Sequence, residues 1–200
     1  MNDKFFDLKR DKQDRIINAA LKVFSANSFR HASTDEIVKE AGISKGLLFH
    51  YFISKMGLYS FLFDYSVKYM LFEYSRAVSE DETDYFAIRK QMELAKLNVL
   101  RNYPYMSAFI ERELQESQID VIEETEESKN LYLEQMNAYL EKGQKGSLQH
   151  GMKEEELDAL IRFTVNGLAR EQHESGAFQP QLLYEQIQDY LELIKKIAVE

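Results

Sequence analysis

Apolar residues recur every three or four positions along most of this chain, the spacing at which side chains share one face of an α-helix. The first such stripe predicts a helix over about Lys12 to Ala26, ending near Asn27, a residue type that tolerates a left-handed cap conformation. Runs of β-branched residues are few, and the chain holds only two prolines and eight glycines. The pattern therefore predicts an all-α protein. The first stripe consists of Ile17, Ala20, Leu21 and Phe24.

A second, short helix is predicted directly after Ser33. Glu36 follows Ser33 at the spacing of a capping box, in which the hydroxyl accepts from the backbone N–H of Glu36 and the carboxylate reaches back. Gly42 can adopt the left-handed conformation that ends a helix, so this helix is expected to have about two turns. Ser44 can then cap a third helix, from Lys45 to about Phe52.

Two short helices joined by a tight turn have the spacing of a helix-turn-helix motif, over residues 33–52. On a helical wheel Leu48 and Phe52 point towards the rest of the domain. An outward face without charge and rich in apolar groups suits a partner surface better than water, although packing on a neighbouring helix is the alternative. That face carries Gly46, Leu47, Phe49 and His50.

The charge distribution favours a nucleic-acid partner for this motif, despite an overall charge of −9. From Met1 to Lys55, ten lysines and arginines oppose seven acidic residues, a balance of +3. The remainder holds 15 basic and 27 acidic residues, a balance of −12. The stretch from Ala41 to Phe63 has no acidic residue, although 34 of 200 residues are acidic. An acid there would repel a phosphate backbone.

The residues from Arg15 to Tyr59 resemble the N-terminal DNA-binding domain of the TetR/AcrR repressors. The resemblance is densest at AGISKGLLFHYFISK, Ala41 to Lys55, where the family form is close to A-G-V-S-K-G-T-L-Y-x-Y-F-x-x-K. It implies a DNA-binding domain at residues 1–55, a fourth helix from about residue 56, and a helical ligand-binding and dimerisation domain at 56–200. It also implies a homodimeric transcriptional repressor that a small-molecule inducer releases from a palindromic operator. The absence of cysteine favours the reducing cytoplasm as the location of the protein.

The chain departs from the family pattern at four positions. Ser28 stands where glycine is favoured, Phe49 where tyrosine is favoured, Ile53 where proline or a polar residue is common, and Gly57 near a usual acidic position. Because Phe49 lacks the tyrosine hydroxyl, it cannot donate to a base edge or phosphate, and apolar contact with a thymine methyl group is expected instead. The operator sequence therefore does not transfer from the family.

Roles at DNA follow from the division between phosphate contacts, which give affinity, and base contacts, which give specificity. Ser33 and Thr34 can bind a phosphate at the start of the second helix, or simply cap it. Lys45 is expected at a guanine or a phosphate, and by resemblance Tyr51 and Lys55 look like phosphate anchors. The outward face of the third helix is expected to read bases. The full candidate set is Ser33, Thr34, Ser44, Lys45, Gly46, Leu47, Phe49, His50, Tyr51 and Lys55.

Six further helices are predicted after residue 55. They cover about Met56 to Val78, Asp84 to Asn102, Tyr105 to Gln115, Ile119 to Lys142, Glu154 to His173 and Gln181 to Val199. By resemblance the last two look like the pair that forms a four-helix bundle with a second copy, and packing within one chain is the alternative. Their apolar stripes are Leu157, Leu160, Ile161, Thr164, Val165 and Leu168, then Leu183, Ile187, Tyr190, Leu191 and Ile194.

An inducer is expected to bind among the fourth to seventh helices, which are rich in aromatic residues and methionines. Such a cluster is more often core than pocket, and as a pocket it would suit an apolar or aromatic compound. The candidate pocket residues are Tyr103, Tyr105, Met106, Phe109, Met136 and Tyr139.

Composition argues against several other functions. Cysteine is absent and the four histidines are scattered, so neither a disulfide nor a metal site is expected. Motifs for phosphate-binding loops, nucleophile elbows and zinc proteases are missing, so neither a cofactor nor enzymatic activity is predicted. The start lacks the apolar region of a signal peptide, and no stretch approaches the roughly 20 apolar residues of a membrane span. A helical protein-interaction scaffold without DNA binding is the alternative function.

Overall fold

The computed structural model describes residues 3–149, 151–174, 176 and 178–200. Within these ranges the chain folds into α-helices and one short 3-10 helix at Asp3–Phe5, and its only β-structure consists of two isolated bridges. The all-α class is therefore confirmed. The helices are α1 (Arg10–Ala26), α2 (Thr34–Ala41), α3 (Lys45–Phe52), α4 (Lys55–Ala77), α5 (Tyr85–Asn102), α6 (Met106–Leu114), α7 (Ile119–Glu141), α8 (Glu154–Glu174) and α9 (Pro180–Ala198).

Local sequence signals decide where α2 and α3 begin and end. The Ser33 hydroxyl oxygen accepts from the backbone N–H of Glu36 at 3.4 Å, so one half of the capping box is present. Gly42 ends α2 in the left-handed conformation, with φ 64°. The Ser44 hydroxyl oxygen then accepts from the backbone N–H of Leu47 at 3.2 Å and caps α3. The predicted bounds of both helices are confirmed.

The end of α1 differs from the prediction. Asn27 is not left-handed but extended, with φ −128°. Its backbone N–H and its side-chain amide both donate to the carbonyl oxygen of Val23, at 3.1 and 3.0 Å. The side chain thus adds a second donor to the carbonyl group that accepts the last backbone hydrogen bond of the helix, and the helix ends without a left-handed residue.

Packing divides the chain into two compact units, and neither is a continuous stretch. The first comprises Met1–Leu71 and Asn102–Glu134, and the second Phe72–Arg101 and Gln135–Glu200. Helices α4 and α7 therefore each contribute residues to both units. The functional division proposed at residue 55 does not coincide with these units, and it stays a prediction.

The core of the first unit joins α1, α4 and α6 through aromatic rings. Tyr59 of α4 lies edge to face against Phe24 of α1, with ring centroids 4.8 Å apart, and against Phe109 of α6, at 5.1 Å. All three side chains are fully buried. Each such pair adds about 0.5–1.5 kcal/mol beyond the burial of its apolar area. Helix α6 therefore belongs to the same core as α1 and α4.

The 3-10 helix before α1 places Phe5 in this core. Phe5 is fully buried, and its ring centroid lies 5.0 Å from that of Phe52 and 5.4 Å from that of Phe61. The side-chain amide of Gln13 holds the segment against α1 by donating to two of its carbonyl oxygens, at 3.1 and 2.8 Å. The N-terminal segment therefore supports the end of α3 and the start of α4.

We expect Phe5→Ala to lower the free energy of unfolding by about 1–2 kcal/mol. Replacing a buried phenylalanine with alanine can lower the free energy of unfolding by more than this. Here the N-terminal segment can detach from the core while the rest stays folded, so the loss is limited to the free energy with which the segment docks. Urea unfolding at fixed protein concentration measures the change. Phe6→Ala is the matched control, because Phe6 is 52% exposed. Equal losses in the two variants would contradict a core role for Phe5.

The core of the second unit joins α5, α8 and α9. Tyr85, Phe86 and Leu100 of α5 pack in the same cluster as the inner sides of α8 and α9. Seven residues of the predicted dimer stripes are buried here within one chain, which is the alternative stated for them, and their role in a dimer stays a prediction. These seven are Leu157, Ile161, Val165, Leu183, Ile187, Leu191 and Ile194.

No helix in the described part of the chain is both long and apolar enough to cross a membrane.

Candidate nucleic-acid interface

Helices α2 and α3 form a helix-turn-helix motif, joined by residues 42–44. Leu48 and Phe52 point into the domain and are buried. The orientation of α3 thus agrees with the helical wheel, and the side away from the core remains available for a partner. That side carries Gly46 and His50, which are exposed, and Leu47 and Phe49, which are half-buried.

The N-terminal ends of α2 and α3 each begin with a serine cap. The hydroxyl oxygens of Ser33 and Ser44 accept from backbone N–H groups of their own helices, so both serines act as caps. Both are exposed, and Thr34, the first residue of α2, is half-buried. The first turn of a helix keeps N–H groups without partners in the helix, and these can bind a phosphate oxygen. Capping and phosphate binding are compatible at both helix ends.

Lys45 lies in the first turn of α3 and is paired with Asp35 of α2. The ammonium nitrogen lies 2.9 Å from a carboxylate oxygen, and both side chains are exposed to solvent. A solvent-exposed ion pair contributes only about 0.2–1 kcal/mol. A phosphate or a guanine can therefore replace Asp35 as the partner of the Lys45 ammonium group at a small cost in free energy, as the predicted role of Lys45 requires.

Two of the predicted phosphate anchors are more enclosed than the motif indicates. The ammonium group of Lys55 donates to the carbonyl oxygen of Arg30 at 3.4 Å and lies 4.8 Å from the ring centroid of Phe29. Burial lowers the pKa of Lys55 from its ordinary value. Tyr51 is only 7% exposed, and its ring lies edge to face against Phe5 at 5.8 Å. The ring of Tyr51 belongs to the core, and its role at a phosphate stays a prediction.

A buried carboxylate links three helices of the same unit. Glu113 of α6 is fully buried. The Tyr59 hydroxyl of α4 donates to one of its oxygens at 2.6 Å, and the Thr125 hydroxyl of α7 donates to the other at 2.5 Å. Burial raises the pKa of Glu113, and the two hydrogen bonds oppose that shift. The signal that could have revealed Glu113 is its position four residues after Phe109, on the buried side of α6.

The six predicted pocket residues are divided between the two units. The buried hydroxyl of Tyr103 donates to Asp14 at 2.7 Å and lies 2.8 Å from the hydroxyl of Tyr65, so it is part of a polar network. A pocket made by these residues stays a prediction. Tyr103, Met106 and Phe109 are buried and Tyr105 half-buried in the first unit, and Met136 and Tyr139 are half-buried in the second.

The outer sides of α8 and α9 carry exposed apolar residues and a groove of about 430 Å³; we call this surface the α8–α9 face. Four predicted dimer residues belong to it: Leu160, Thr164, Leu168 and Tyr190. Sequence reasoning missed the others, although Phe163 follows Leu160 at helical spacing and reveals a second stripe. The exposed apolar residues are Leu160, Phe163, Leu182, Tyr190, Leu193 and Ile197. The groove is lined by Phe163, Thr164, Gly167, Leu168, Arg170, Glu171, Glu174 and Tyr190.

The histidines within the described residues are not grouped at a site. The ring of His31 bonds to the hydroxyl of Ser28 at 2.9 Å, and the ring of His173 stacks on Phe178 at 4.2 Å. His150 lies outside the described residues. Elsewhere in the described ranges, no cluster of three or more histidine or acidic side chains could hold a metal ion.

Known proteins similar to this chain are transcriptional regulators. Residues 16–60 match the sequence model of a family described as bacterial regulatory proteins, tetR family. YuxN of Bacillus subtilis, an uncharacterized HTH-type transcriptional regulator, is 27% identical over 164 residues, which are 80% of this chain and 53% of that protein. The HTH-type transcriptional regulator UidR of Escherichia coli is 52% identical over 44 residues, 22% of each chain. This chain thus spans about half the length of YuxN.

Likeness to solved structures extends over the whole chain. A TetR family transcriptional regulator from Chloroflexus aurantiacus superposes with a TM-score of 0.65, covering 100% of this chain and 98% of that one. The sequences are 17% identical, so this likeness concerns the fold alone.

Proposed function

We propose that this chain, a member of the TetR family of bacterial regulatory proteins by its match over residues 16–60, is a transcriptional repressor that binds a near-palindromic operator as a dimer and leaves it when a small molecule binds. The observation that carries the proposal is the α2–α3 motif, whose outward face on α3 lies in a stretch without acidic residues. In this motif α3 is the helix that enters the major groove.

Base reading is assigned to the outward face of α3. Leu47 and Phe49 offer apolar contact to thymine methyl groups, and His50 offers ring nitrogens to base edges. Gly46 supports this assignment, because a Cβ there would meet nothing within 4 Å in the protein itself. Folding therefore does not require glycine at this position, and we propose that the close approach of DNA does.

Dimerisation is assigned to the α8–α9 face. Its exposed apolar residues and its groove are what a second copy would cover, and a two-fold pairing would present each groove to the same surface of the partner. Binding of both copies of α3 to successive major grooves of one operator would require a separation of about 34–36 Å between them. The partner contacts are assigned to Leu160, Phe163, Thr164, Gly167, Leu168, Tyr190, Leu193 and Ile197.

Selection of duplexes from a random-sequence library with the full-length protein tests the function. We expect enrichment of a sequence with two half-sites related by two-fold symmetry, called the selected duplex below. The alternative, a helical interaction scaffold, predicts no enrichment at all. A single unrepeated half-site would leave DNA binding intact but contradict the dimer.

We expect Lys55→Ala and His50→Ala to act differently on DNA. Lys55→Ala should weaken binding to every sequence and flatten the salt dependence by roughly one unit of slope, because it removes one phosphate contact. His50→Ala should change the base preference at one position of each half-site. Fluorescence anisotropy with the selected duplex and its single-base variants, over a salt series, measures both. Should Lys55→Ala alter base preference without reducing general affinity, the assignment is wrong.

Release by an inducer is the remaining part of the proposal. A compound of apolar or aromatic character, bound among α4 to α7, would shift α4, which begins directly after α3. The compound must bind the DNA-incompetent state better, and a coupling of about 1–3 kcal/mol changes operator affinity roughly 5- to 150-fold. Operator DNA must then weaken binding of the compound by the same factor, which equilibrium titration with and without saturating operator measures.

We further propose that the protein acts by binding rather than by catalysis, and that it works in the cytoplasm, where bacterial DNA is found. The similar proteins named above are regulators, and the sequence carries none of the catalytic motifs considered.

A further inference from the structure

Only two residues, Ile53 and Ser54, separate the end of α3 from the start of α4. The backbone N–H of Ser54 donates to the carbonyl oxygen of Phe52 at 2.7 Å. Ile53, between them, has φ 67° and ψ −50°. This geometry is the rare form of γ-turn, in which the central residue has positive φ. Among the described residues, Ile53 is the only non-glycine residue with positive φ.

The conformation of Ile53 is strained. A β-branched side chain strongly disfavours positive φ. Ile53 is 75% exposed, so burial of its side chain does not offset the strain. The turn is held from both sides instead: the N–H of Ile53 donates to the carbonyl oxygen of Phe49 at 2.9 Å, and the Ser54 hydroxyl accepts from the N–H of Gly57 at 2.9 Å. The end of α3 and the start of α4 therefore determine the turn together.

Gly57 meets the same carbonyl group from the side of α4. A Cβ on Gly57 would overlap the carbonyl oxygen of Phe52. The position of a Cβ is fixed by its own backbone, and the carbonyl group of Phe52 is itself backbone, so no side-chain rotation relieves the overlap. The Phe52 side chain is buried, and moving its backbone disturbs the core as well. The absence of a side chain at Gly57 therefore fixes how closely the last turn of α3 approaches the first turn of α4.

We propose that Ile53 and Gly57 are positioning residues that set the orientation of the recognition helix α3 on α4. Both residues depart from the family pattern. Ile53 is the central residue of the turn that is closed by the carbonyl group of Phe52, and Gly57 packs against that same carbonyl group. The inference rests on the proposed function, because it takes α3 as the helix that reads bases. Neither residue has to touch DNA for this role. A small rotation of α3 displaces base contacts, whereas phosphate attraction is long-ranged and tolerates it.

Gly57→Ala is expected to weaken binding to the selected duplex about 10- to 100-fold, and binding to a scrambled duplex by no more than about twofold. The added methyl group pushes the Phe52 carbonyl group and turns the end of α3. Fluorescence anisotropy of the full-length dimer with both duplexes at one salt concentration gives the two affinities. Equal weakening on both duplexes would mean a general structural defect and overturn the proposal.

Rescue by a second substitution is the sharper test. In the Gly57→Ala background, Ile53→Gly should raise the affinity for the selected duplex at least about tenfold. Glycine lets the peptide plane after Phe52 rotate away from the new methyl group. Ile53→Ala is the matched control: it also removes the isoleucine side chain but keeps a Cβ, so it should not restore binding. Glycine also relieves the strain of positive φ at position 53 by itself, so Ile53→Gly is measured in the wild-type background as well, and the proposal requires a larger gain in the Gly57→Ala background than in wild type.

Thermal unfolding followed by circular dichroism supplies a readout that does not need DNA. The melting temperature of Gly57→Ala should fall, and Ile53→Gly should recover part of the loss where Ile53→Ala does not. This comparison remains valid if Gly57→Ala alone does not fold. Equal effects of glycine and alanine at position 53, on melting and on binding, overturn the proposal. If the wild-type protein enriches no sequence, the proposed function fails, even where the melting data show that residues 53 and 57 are coupled.

Discussion

Phe163→Glu is expected to yield a monomer and to reduce affinity for the selected duplex at least about a hundredfold. Phe163 is 69% exposed on α8 and lines the groove of the α8–α9 face. Association would bury the introduced carboxylate in an apolar contact without a partner charge, which is strongly unfavourable. A monomer holds its operator through one recognition helix and loses the gain of about 10²- to 10⁴-fold that linked binding sites provide.

Light scattering coupled to gel filtration at micromolar concentration measures the mass, and anisotropy with the selected duplex measures the affinity. Phe72→Glu is the matched control, because Phe72 is also an exposed phenylalanine, 56% accessible, but lies on α4. We expect Phe72→Glu to leave both the mass and the affinity unchanged. A dimeric Phe163→Glu variant with wild-type affinity would show that the dimer forms through another surface.

Glu113→Ala is expected to lower the free energy of unfolding by about 3 kcal/mol, whereas Glu113→Gln should be tolerated. Alanine leaves a void and removes the acceptor of the buried Tyr59 hydroxyl, whereas Thr125 keeps the carbonyl oxygen of Val121 as an acceptor. Glutamine keeps the volume: its oxygen can accept from Tyr59, while its amide donates to Thr125. The Thr125 hydroxyl can then donate to the carbonyl oxygen of Val121, which already lies 2.9 Å away.

Because the pKa of Glu113 is raised, its contribution to the free energy of unfolding depends on pH. The folded protein binds this proton more tightly than the unfolded chain, whose carboxyl group has the ordinary pKa of 4.5. The contribution of Glu113 to stability therefore falls as pH rises from 4.5 through the raised value, and stays at its lower level above it. Tyr59, whose own pKa is raised by burial, stays protonated in this window, and Glu116, Lys129 and Arg112 are the nearby charges.

Urea unfolding of Glu113→Gln and wild type from pH 4.5 to 8 measures this effect. The stability of the glutamine variant relative to wild type should grow as pH rises through the window, because glutamine does not ionise. Glu123→Gln is the control, because Glu123 is exposed on α7 and its substitution should give a nearly flat difference. A flat difference for Glu113→Gln as well would show that the buried carboxylate does not titrate as described.

Short-range signals predicted the helix-turn-helix motif well. Ser33, Gly42 and Ser44 act within a few residues of their own positions, and they determine the ends of α2 and α3. The wheel of α3 was also reliable, because Leu48 and Phe52 must both face the one core that a short helix can reach. Neighbouring residues contain enough information for such features.

Long-range contacts could not be predicted in this way. Glu113 is 54 residues from Tyr59 in sequence, and no periodicity connects the two. Apolar periodicity reports that one side of a helix is buried, but not what covers it. The stripes through Leu157 and Leu191 were therefore predicted correctly as buried positions. In the structure they pack against each other and against α5 of the same chain. The second stripe, on the opposite sides of α8 and α9, became apparent only after the first had been accounted for.

The place of α6 in the first unit limits how DNA specificity can be transplanted between regulators. Arg112 of α6 donates to the carbonyl oxygen of Ser25 at 2.7 Å, and Phe109 closes the core against Phe24 and Tyr59. A chimera joined at residue 60, where the family match ends, would graft α1 to α3 onto a foreign α6. A functional exchange therefore requires the transfer of two segments, residues 1–71 and the buried side of α6. The transferred α3 then comes with the helix that completes its core.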